Sequence, residues 1–337
     1  MIDLALPLAI ALLPVLVFLG CLIVMDSFKL VRLAAVIRTI LAGAAVALLC
    51  YGFNTLLLTG LPISTTTLTR YIAPVIEEAG KAAFLIYLIR ANKVGFMVDA
   101  AIRGFAIGTG FAILENLHYI QMRPEAHLFI WVIRGFGTAM MHGGATAIVG
   151  VASKALLDRA DRWRLLLAVP GLLLAILLHM VYNHFFMSPL ASTIFILIAL
   201  PLVTLVVFRR SEESTREWLG YGFDIDRELL AMITSGTLAE NRIGQYLHSL
   251  KDRFPPETVA DMLCILRVQS ELAIKAKGVL LMKEAGFTVP PDPEAAAQVE
   301  ELRFLEKSIG RTGLLALKPF LRTRGQDLWQ VNFLAGE

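Results

Sequence analysis

The stretch Tyr71-Ile72-Ala73-Pro74-Val75-Ile76-Glu77-Glu78-Ala79-Gly80-Lys81-Ala82-Ala83-Phe84-Leu85-Ile86-Tyr87-Leu88-Ile89 decides the fold. Its length and apolar character are those of a membrane-spanning helix, for which about 20 mostly apolar residues suffice. Yet it contains Glu77, Glu78 and Lys81. A charge near the bilayer centre costs about 2.5–3.5 kcal/mol on insertion scales, so three in one helix must neutralise one another or face a wet cavity. Glu77 and Lys81 are spaced i,i+4, and Glu78 and Lys81 i,i+3, so one ammonium can reach either carboxylate. Ionisable groups kept inside a bilayer at that cost mark a working site.

The remainder of the chain supports a membrane setting. It has 337 residues, of which 57% are hydrophobic, with a mean hydropathy of +0.68. The long apolar runs lie between residues 3 and 208, while 211–337 carry an ordinary mixture of charge and apolar residues. This predicts an all-α fold. Residues 1–210 form a polytopic helix bundle with its core at about 60–190, and 211–337 form a C-terminal helical domain. Spans are expected at 3–25, 33–59, 70–90, 98–120, 135–157, 165–187 and 189–208. His127 to Arg134 reads as an interfacial segment with Trp131 in the aromatic belt. The first residues lack the basic region and small-residue cleavage site of a signal peptide, so 3–25 is read as a retained span. A net charge of +3 gives no reason to expect nucleic acid. Cys21, Cys50 and Cys264 are spaced for neither a disulfide framework nor a zinc cluster.

Basic residues orient the spans. Lys29 and Arg32, then Arg90, Lys93 and Arg103, then Lys154, Arg159, Arg162 and Arg164, then Arg209, Arg210 and Arg216 occupy alternate junctions. The junctions between hold only Arg70, Arg123 or no basic residue. The positive-inside rule then puts the N-terminus outside and the tail in the cytoplasm. On that topology the 1.5 Å rise per residue sets Glu77 and Glu78 about 10–12 Å below the outer surface, Glu115 and Asn116 about 6–8 Å, His142 about 10 Å and His179 about 12 Å, with Asn183 one turn shallower. Four helices thus bring acids, imidazoles and an amide to one layer in the outer half of the bilayer. Taken singly, Glu115, Asn116, His142, His179 and Asn183 read as interhelical hydrogen bonds. Their shared depth turns the reading toward a site. Gly104, Gly108 and Gly110 on the fourth span, and Gly135, Gly137, Gly143 and Gly144 on the fifth, permit close approach of those helices. Arg38, Arg103 and Arg134 are expected to snorkel. His118, His127 and His184 read as belt residues and Tyr182 as packing.

Glu-Glu-x-x-Lys at 77–81, Phe-x-x-x-Glu at 111–115 followed by Asn116, the isolated His142, and His-x-x-x-Asn at 179–183 together resemble the PrsW family of bacterial intramembrane proteases. That family shares a superfamily with the type II CAAX prenyl endopeptidases and with the APH-1 subunit of gamma-secretase. The CAAX enzymes end their first motif in Arg and carry His where this chain has Glu115, so the pattern here is the PrsW one. The resemblance covers about residues 60–190. It implies an endopeptidase of the bacterial inner membrane whose partners are the lipid bilayer and a single-pass protein substrate of the anti-sigma-factor class.

Hydrolysis of a peptide needs an activated water, a proton donor for the leaving amine and stabilisation of the oxyanion. Glu78 or Glu77 serves as general base with Glu115 assisting, since close carboxylates share a proton. Lys81 tunes the charge of the pair, and His142 positions water or binds a metal. The oxyanion role of His179 and Asn183 is implied by the CAAX resemblance. A zinc site from Glu115, His142 and His179 stays open beside a metal-free glutamate mechanism, although no H-E-x-x-H is present. The rival reading is a non-catalytic scaffold or transport protein of APH-1-like architecture. The tail offers helices near 227–233, 239–250, 311–322 and 295–309, the last with Glu300, Glu301 and Glu306 exposed. A longer helix opens at Pro255-Pro256, ends near Gly286, and has an apolar stripe of Val259, Met262, Leu263, Leu266, Leu272 and Ile274. The tail carries no catalytic or nucleotide motif.

Overall fold

The structure, a computed structural model, describes residues 5–157, 166–321 and 325–335. It is 86% helical, without strands among the described residues. In chain order the main helices are α1 (Ala5–Met25), α2 (Leu33–Gly60), α3 (Ala73–Arg90), α4 (Met97–Met122), α5 (Leu128–Leu157), α6 (Val169–Asn183) and α7 (Pro189–Ser235). They continue with α8 (Arg242–Ser249), α9 (Pro256–Glu284), α10 (Pro293–Leu317) and α11 (Gly325–Leu334). The chain divides into two compact units, one of residues 1–91 and 96–211, the other of 92–95 and 212–337. Arg159, Arg162 and Arg164, part of the orientation argument, lie outside the described residues, as do the first two residues of the expected 3–25 span and Arg322 of the expected last helix.

Among the described residues, six helices are long and apolar enough to cross a membrane: α1, α2, α4, α5, α6 (counted from Leu166) and α7. The protein is a multi-pass membrane protein. The remaining expected span, 70–90, corresponds to α3, whose 18 residues include Glu77, Glu78, Lys81 and Arg90. Its charges set it apart from the six.

Burial locates the centre of the first unit. The most apolar window of α4 is 83% buried, against 22% for α1 and 11% for α7. Helix α4 packs against α2 and α5, with Ala100, Ile102, Phe105, Ala106 and Ile107 wholly enclosed. Its glycines make this possible. A Cβ on Gly108 would collide with the His142 carbonyl and the Gly143 Cα of α5, and one on Gly110 with the Ile40 carbonyl of α2. Dispersion between closely approaching backbones is what associates helices in lipid, where no hydrophobic force acts between them. The outward faces of α1, α2, α6 and α7 carry exposed Val24, Leu49, Leu56, Leu173, Leu177, Ile198 and Leu202, a surface suited to acyl chains.

Three expectations change. Trp131 is not in an interfacial belt but 1% exposed, clustered with Ala11 and Ile120. The segment Leu128–Ile133 continues through a π-helical turn, Arg134–Ala139, into the rest of α5, which buries the tryptophan. Arg103 does not snorkel; it is buried and its Nε donates to Asp99 Oδ1 at 2.6 Å, one turn back on α4. Arg134 is also buried, whereas Arg38 is exposed as expected.

In the second unit α9, bounded by Pro256 and a left-handed Gly286, buries Val259, Met262, Leu266 and Leu272. Leu263 and Ile274 of the expected stripe are half-buried. The two helices expected at 295–309 and 311–322 form α10, broken at Gly310, where φ is 64°. Glu306 is half-buried rather than exposed; burial raises its carboxyl above the ordinary range, against the lowering effect of Arg303. The expected 227–233 helix is the last part of α7. Lys277 is fully buried, with its ammonium paired to Asp226 and lying 4.8 Å from the Trp218 ring centre.

The close α4–α5 contact yields a test. Gly108→Val should destabilise by at least about 1–3 kcal/mol through overpacking, lowering the unfolding temperature in detergent. Gly52→Ala, where a Cβ would meet nothing within 4 Å, should leave it level or slightly higher. Equal temperatures for wild type and Gly108→Val would contradict this packing.

Candidate active site

Four helices deliver polar side chains to one point inside the first unit. Helix α3 presents Glu77, Glu78 and Lys81; α4 presents Phe111 and Glu115; α5 presents His142; α6 presents His179. Lys81 Nζ lies 2.6 Å from Glu78 Oε1 and 3.0 Å from His142 Nδ1, and 4.6 Å from the centre of the Phe111 ring. His179 Nδ1 lies 2.8 Å from the same Glu78 oxygen. His142 Nε2 lies 3.0 Å from Glu115 Oε2. The two imidazoles meet edge to face, with centres 4.8 Å apart at 87°.

These contacts fix the protons. An ammonium has only donors, so His142 Nδ1 accepts from Lys81 and its Nε2 carries the hydrogen donated to Glu115. The Glu78 carboxylate accepts from His179 Nδ1, which in the neutral ring leaves the lone pair on Nε2. That lone pair looks toward Glu77 Oε2 across 3.9 Å, too far for a direct hydrogen bond and wide enough for a bridging water or ion. Glu77 is the more open of the two α3 acids: its side chain is 16% exposed, while those of Glu78 and Lys81 are wholly buried. Taking Glu78 and Lys81 out of water costs several kcal/mol per ion, and their attraction offsets this only with added hydrogen bonds. His179 and His142 supply them. Glu78 Oε2 is buried without a hydrogen-bond partner among the described residues.

One carboxylate and two imidazoles, from Glu77, His142 and His179, place ligand atoms within 4.8 Å of one another. This trio differs from the expected one, which had Glu115 in place of Glu77. Glu115 is engaged elsewhere: its Oε2 meets His142, and its Oε1 lies 3.3 Å from Arg134 Nη2.

The other expected residues turn away from the gap. Asn183 donates from Nδ2 to the Thr69 carbonyl at 2.9 Å, within the π-helical turn Leu68–Ile72 that leads into α3. Tyr182, expected to be mere packing, lies with its hydroxyl 3.2 Å from Thr138 Oγ1 in the π-helical turn of α5. Asn116 donates to the Ala11 carbonyl at 2.9 Å, holding α4 to α1. His184 sits between Tyr71 and Phe186 and His118 against Tyr51, among aromatic neighbours.

Two residues beside the site were not expected there. Asn54 of α2 has its Nδ2 3.5 Å from Glu77 Oε1. Arg134 contacts both Glu115 and Asn116. The rule that singled out α3, an ionisable residue within an apolar run, applies equally to Arg134; starting the expected span at 135, just after it, concealed the signal. Asn54 gives no comparable signal, since a lone amide in a span is ordinary interhelical glue.

The family model for PrsW family intramembrane metalloproteases matches residues 31–208, just over half of the chain. All the site residues fall within that range. No curated protein and no solved structure matches the chain.

The buried ion pair predicts an asymmetric response to substitution. Lys81→Met leaves Glu78 without its cation and should cost about 3–5 kcal/mol, whereas Lys81→Met combined with Glu78→Leu should recover much of that loss. Thermal unfolding of the purified variants in detergent measures both. A double variant no more stable than Lys81→Met would count against a mutually compensating pair.

Proposed function

The chain belongs to the PrsW family of intramembrane metalloproteases, and from that membership we propose that it cuts single-pass, anti-sigma-factor-like membrane proteins with a Glu/His site in the outer half of the bilayer. The observation that carries this reading is the approach within 4.8 Å of a carboxylate and two imidazoles from three separate helices. In this reading the protein lies in a bacterial cytoplasmic membrane with its N-terminus outside. Residues 1–210 are the protease bundle and 211–337 a cytoplasmic helical domain.

Each residue then has a part. Glu77, beside the 3.9 Å gap and partly open, takes a proton from the attacking water as the water oxygen bonds to the peptide carbon. It returns that proton to the amine as the carbon–nitrogen bond breaks. Glu78 orients His179, whose free Nε2 holds the water on the side facing Glu77. Lys81 balances the charge of Glu78, fixes the His142 tautomer and opposes the negative charge that develops on the carbonyl oxygen. Glu115 aligns His142 through Nε2. Asn183, engaged with Thr69, steadies the entry to α3 instead of binding the oxyanion.

The residues present fit the metal that the family description implies. Two histidines and a glutamate form a known catalytic zinc ligand set, here Glu77, His142 and His179. The Glu78–His179 hydrogen bond is the outer-shell contact such a ligand needs. His142 would exchange one of its two present contacts for the metal. Bound there, Zn²⁺ would acidify a water and polarise the scissile carbonyl. A scaffold of APH-1-like architecture would have no need of the Glu77–His179 gap.

Glu77→Gln, in full-length protein in detergent, should slow cleavage of a reporter with one transmembrane helix by about 10²–10⁴-fold, the usual contribution of a general base, at unchanged protein level. Glu78→Gln should be similarly impaired. Wild-type protein dialysed against zinc and washed should keep about one ion per chain, as for a three-residue catalytic site, and His179→Ala should lose it. Undiminished cleavage by both glutamine variants would sink the hydrolase reading. Zinc retained equally by wild type and His179→Ala would remove the metal from it.

A further inference from the structure

Arg134 occupies an unusual place. It opens the π-helical turn Arg134–Ala139 within α5 and is 9% exposed. Its Nε donates to Asn116 Oδ1 at 2.8 Å, its Nη2 lies 3.3 Å from Glu115 Oε1, and its guanidinium carbon stands 3.7 Å from the centre of the Tyr119 ring. A single side chain thus meets three residues of one face of α4: it hydrogen-bonds Asn116, pairs in charge with Glu115 although its Nη2 makes no hydrogen bond among the described residues, and covers the Tyr119 ring. Asn116 is itself tied to the Ala11 carbonyl of α1, so the guanidinium is held from below and cannot swing with Glu115.

The turn explains how this is reached. Residues 134 and 142 are eight apart, and at 3.6 residues per turn they would point about 80° apart on a regular helix. A π-bulge absorbs one additional residue. That removes about 100° of rotation and leaves the two side chains about 20° apart. Arg134 and His142 consequently converge on the two oxygens of one carboxylate: His142 on Oε2, Arg134 on Oε1. Glu115 is 30% exposed, and without both contacts its carboxylate could rotate out of line with His142.

We propose that Arg134 is a positioning residue of the hydrolytic site, and that the π-helical turn of α5 exists to bring it alongside His142 so that the pair hold Glu115 in register. The inference rests on the proposed hydrolase reading and adds to it a residue that lies outside the family-like motifs. A lysine does not replace it, because one ammonium cannot reach Asn116 and Glu115 with the fixed fork of a guanidinium.

A double-mutant cycle on the full-length protein tests this, using cleavage of a reporter with a single apolar transmembrane helix. Arg134→Gln should lower kcat about 10–100-fold, the usual cost of losing an outer-shell partner, with KM little changed. Arg134→Lys should fall in the same direction. On an Glu115→Gln background, Arg134→Gln should add almost nothing, because residues acting as one unit are non-additive. A separate variant deleting Phe136, which faces outward at 37% exposure, leaves Arg134 and His142 seven apart on a regular helix, again about 20° apart, and should keep most of the wild-type kcat; a loss as deep as that of Arg134→Gln would count against alignment as the purpose of the turn. Losses that multiply in the double variant would mean that Arg134 is merely structural, and full kcat in Arg134→Gln while Glu78→Gln is dead would also overturn the proposal, leaving the hydrolase reading intact. Full activity in Glu78→Gln as well would bring down both.

Discussion

A carboxylate and an ammonium enclosed in a lipid-spanning bundle must be compensated at close range, and the arrangement of the first unit follows from that demand. Glu78 and Lys81 on α3 are wholly buried and 2.6 Å apart. Neither is satisfied by the other alone, and His179 from α6 and His142 from α5 each add a hydrogen bond to the pair. Once those imidazoles are committed, their tautomers are settled, and the one nitrogen left with an open lone pair faces the one α3 acid left partly exposed. The polar gap at Glu77 lies beside this set, in which Glu78 Oε2 still has no hydrogen bond among the described residues.

The scaffold supports this by bringing helices unusually close. Helix α4 runs through the middle of the unit because its glycines let α2 and α5 reach its backbone. Close approach sets Glu115 within hydrogen-bonding distance of His142 and places Phe111 against both Lys81 and His142. The apolar ring of Phe111 limits water around Lys81 and so strengthens the interactions of a cation that water would otherwise screen. Sequence spacing, helix contact and site electrostatics are therefore successive expressions of one set of small and charged residues.

Much of this was legible from the chain alone. The i,i+3 spacing of Glu78 and Lys81 foretold their pairing, and long apolar runs foretold the helices. The glycine-rich stretches of α4 and α5 foretold their contact. What escaped reading depended on departures from the regular helix. Two π-helical turns, Leu68–Ile72 and Arg134–Ala139, change which residues share a face, and a 3.6-residue period cannot register an inserted residue. Trp131 and Arg134 were accordingly assigned to the membrane surface although both are interior. The exchange of Glu115 for Glu77 in the trio has a different origin: depth along a helix was readable, but the partner that claims each carboxylate was not, since Arg134 had been set aside.

The last turn of α6 links neighbouring residues to both irregular turns. Tyr182 touches Thr138, just ahead of His142, and Asn183 holds Thr69, just ahead of Glu77. These contacts act as a shared clamp on the two segments that aim the acid and the imidazole. A defect traced to Asn183 would therefore report lost alignment of the α3 entry, and one traced to Tyr182 lost alignment of the α5 turn. Such a phenotype, taken by itself, is no evidence that the amide meets a reacting atom, because loosening the clamp would produce the same loss.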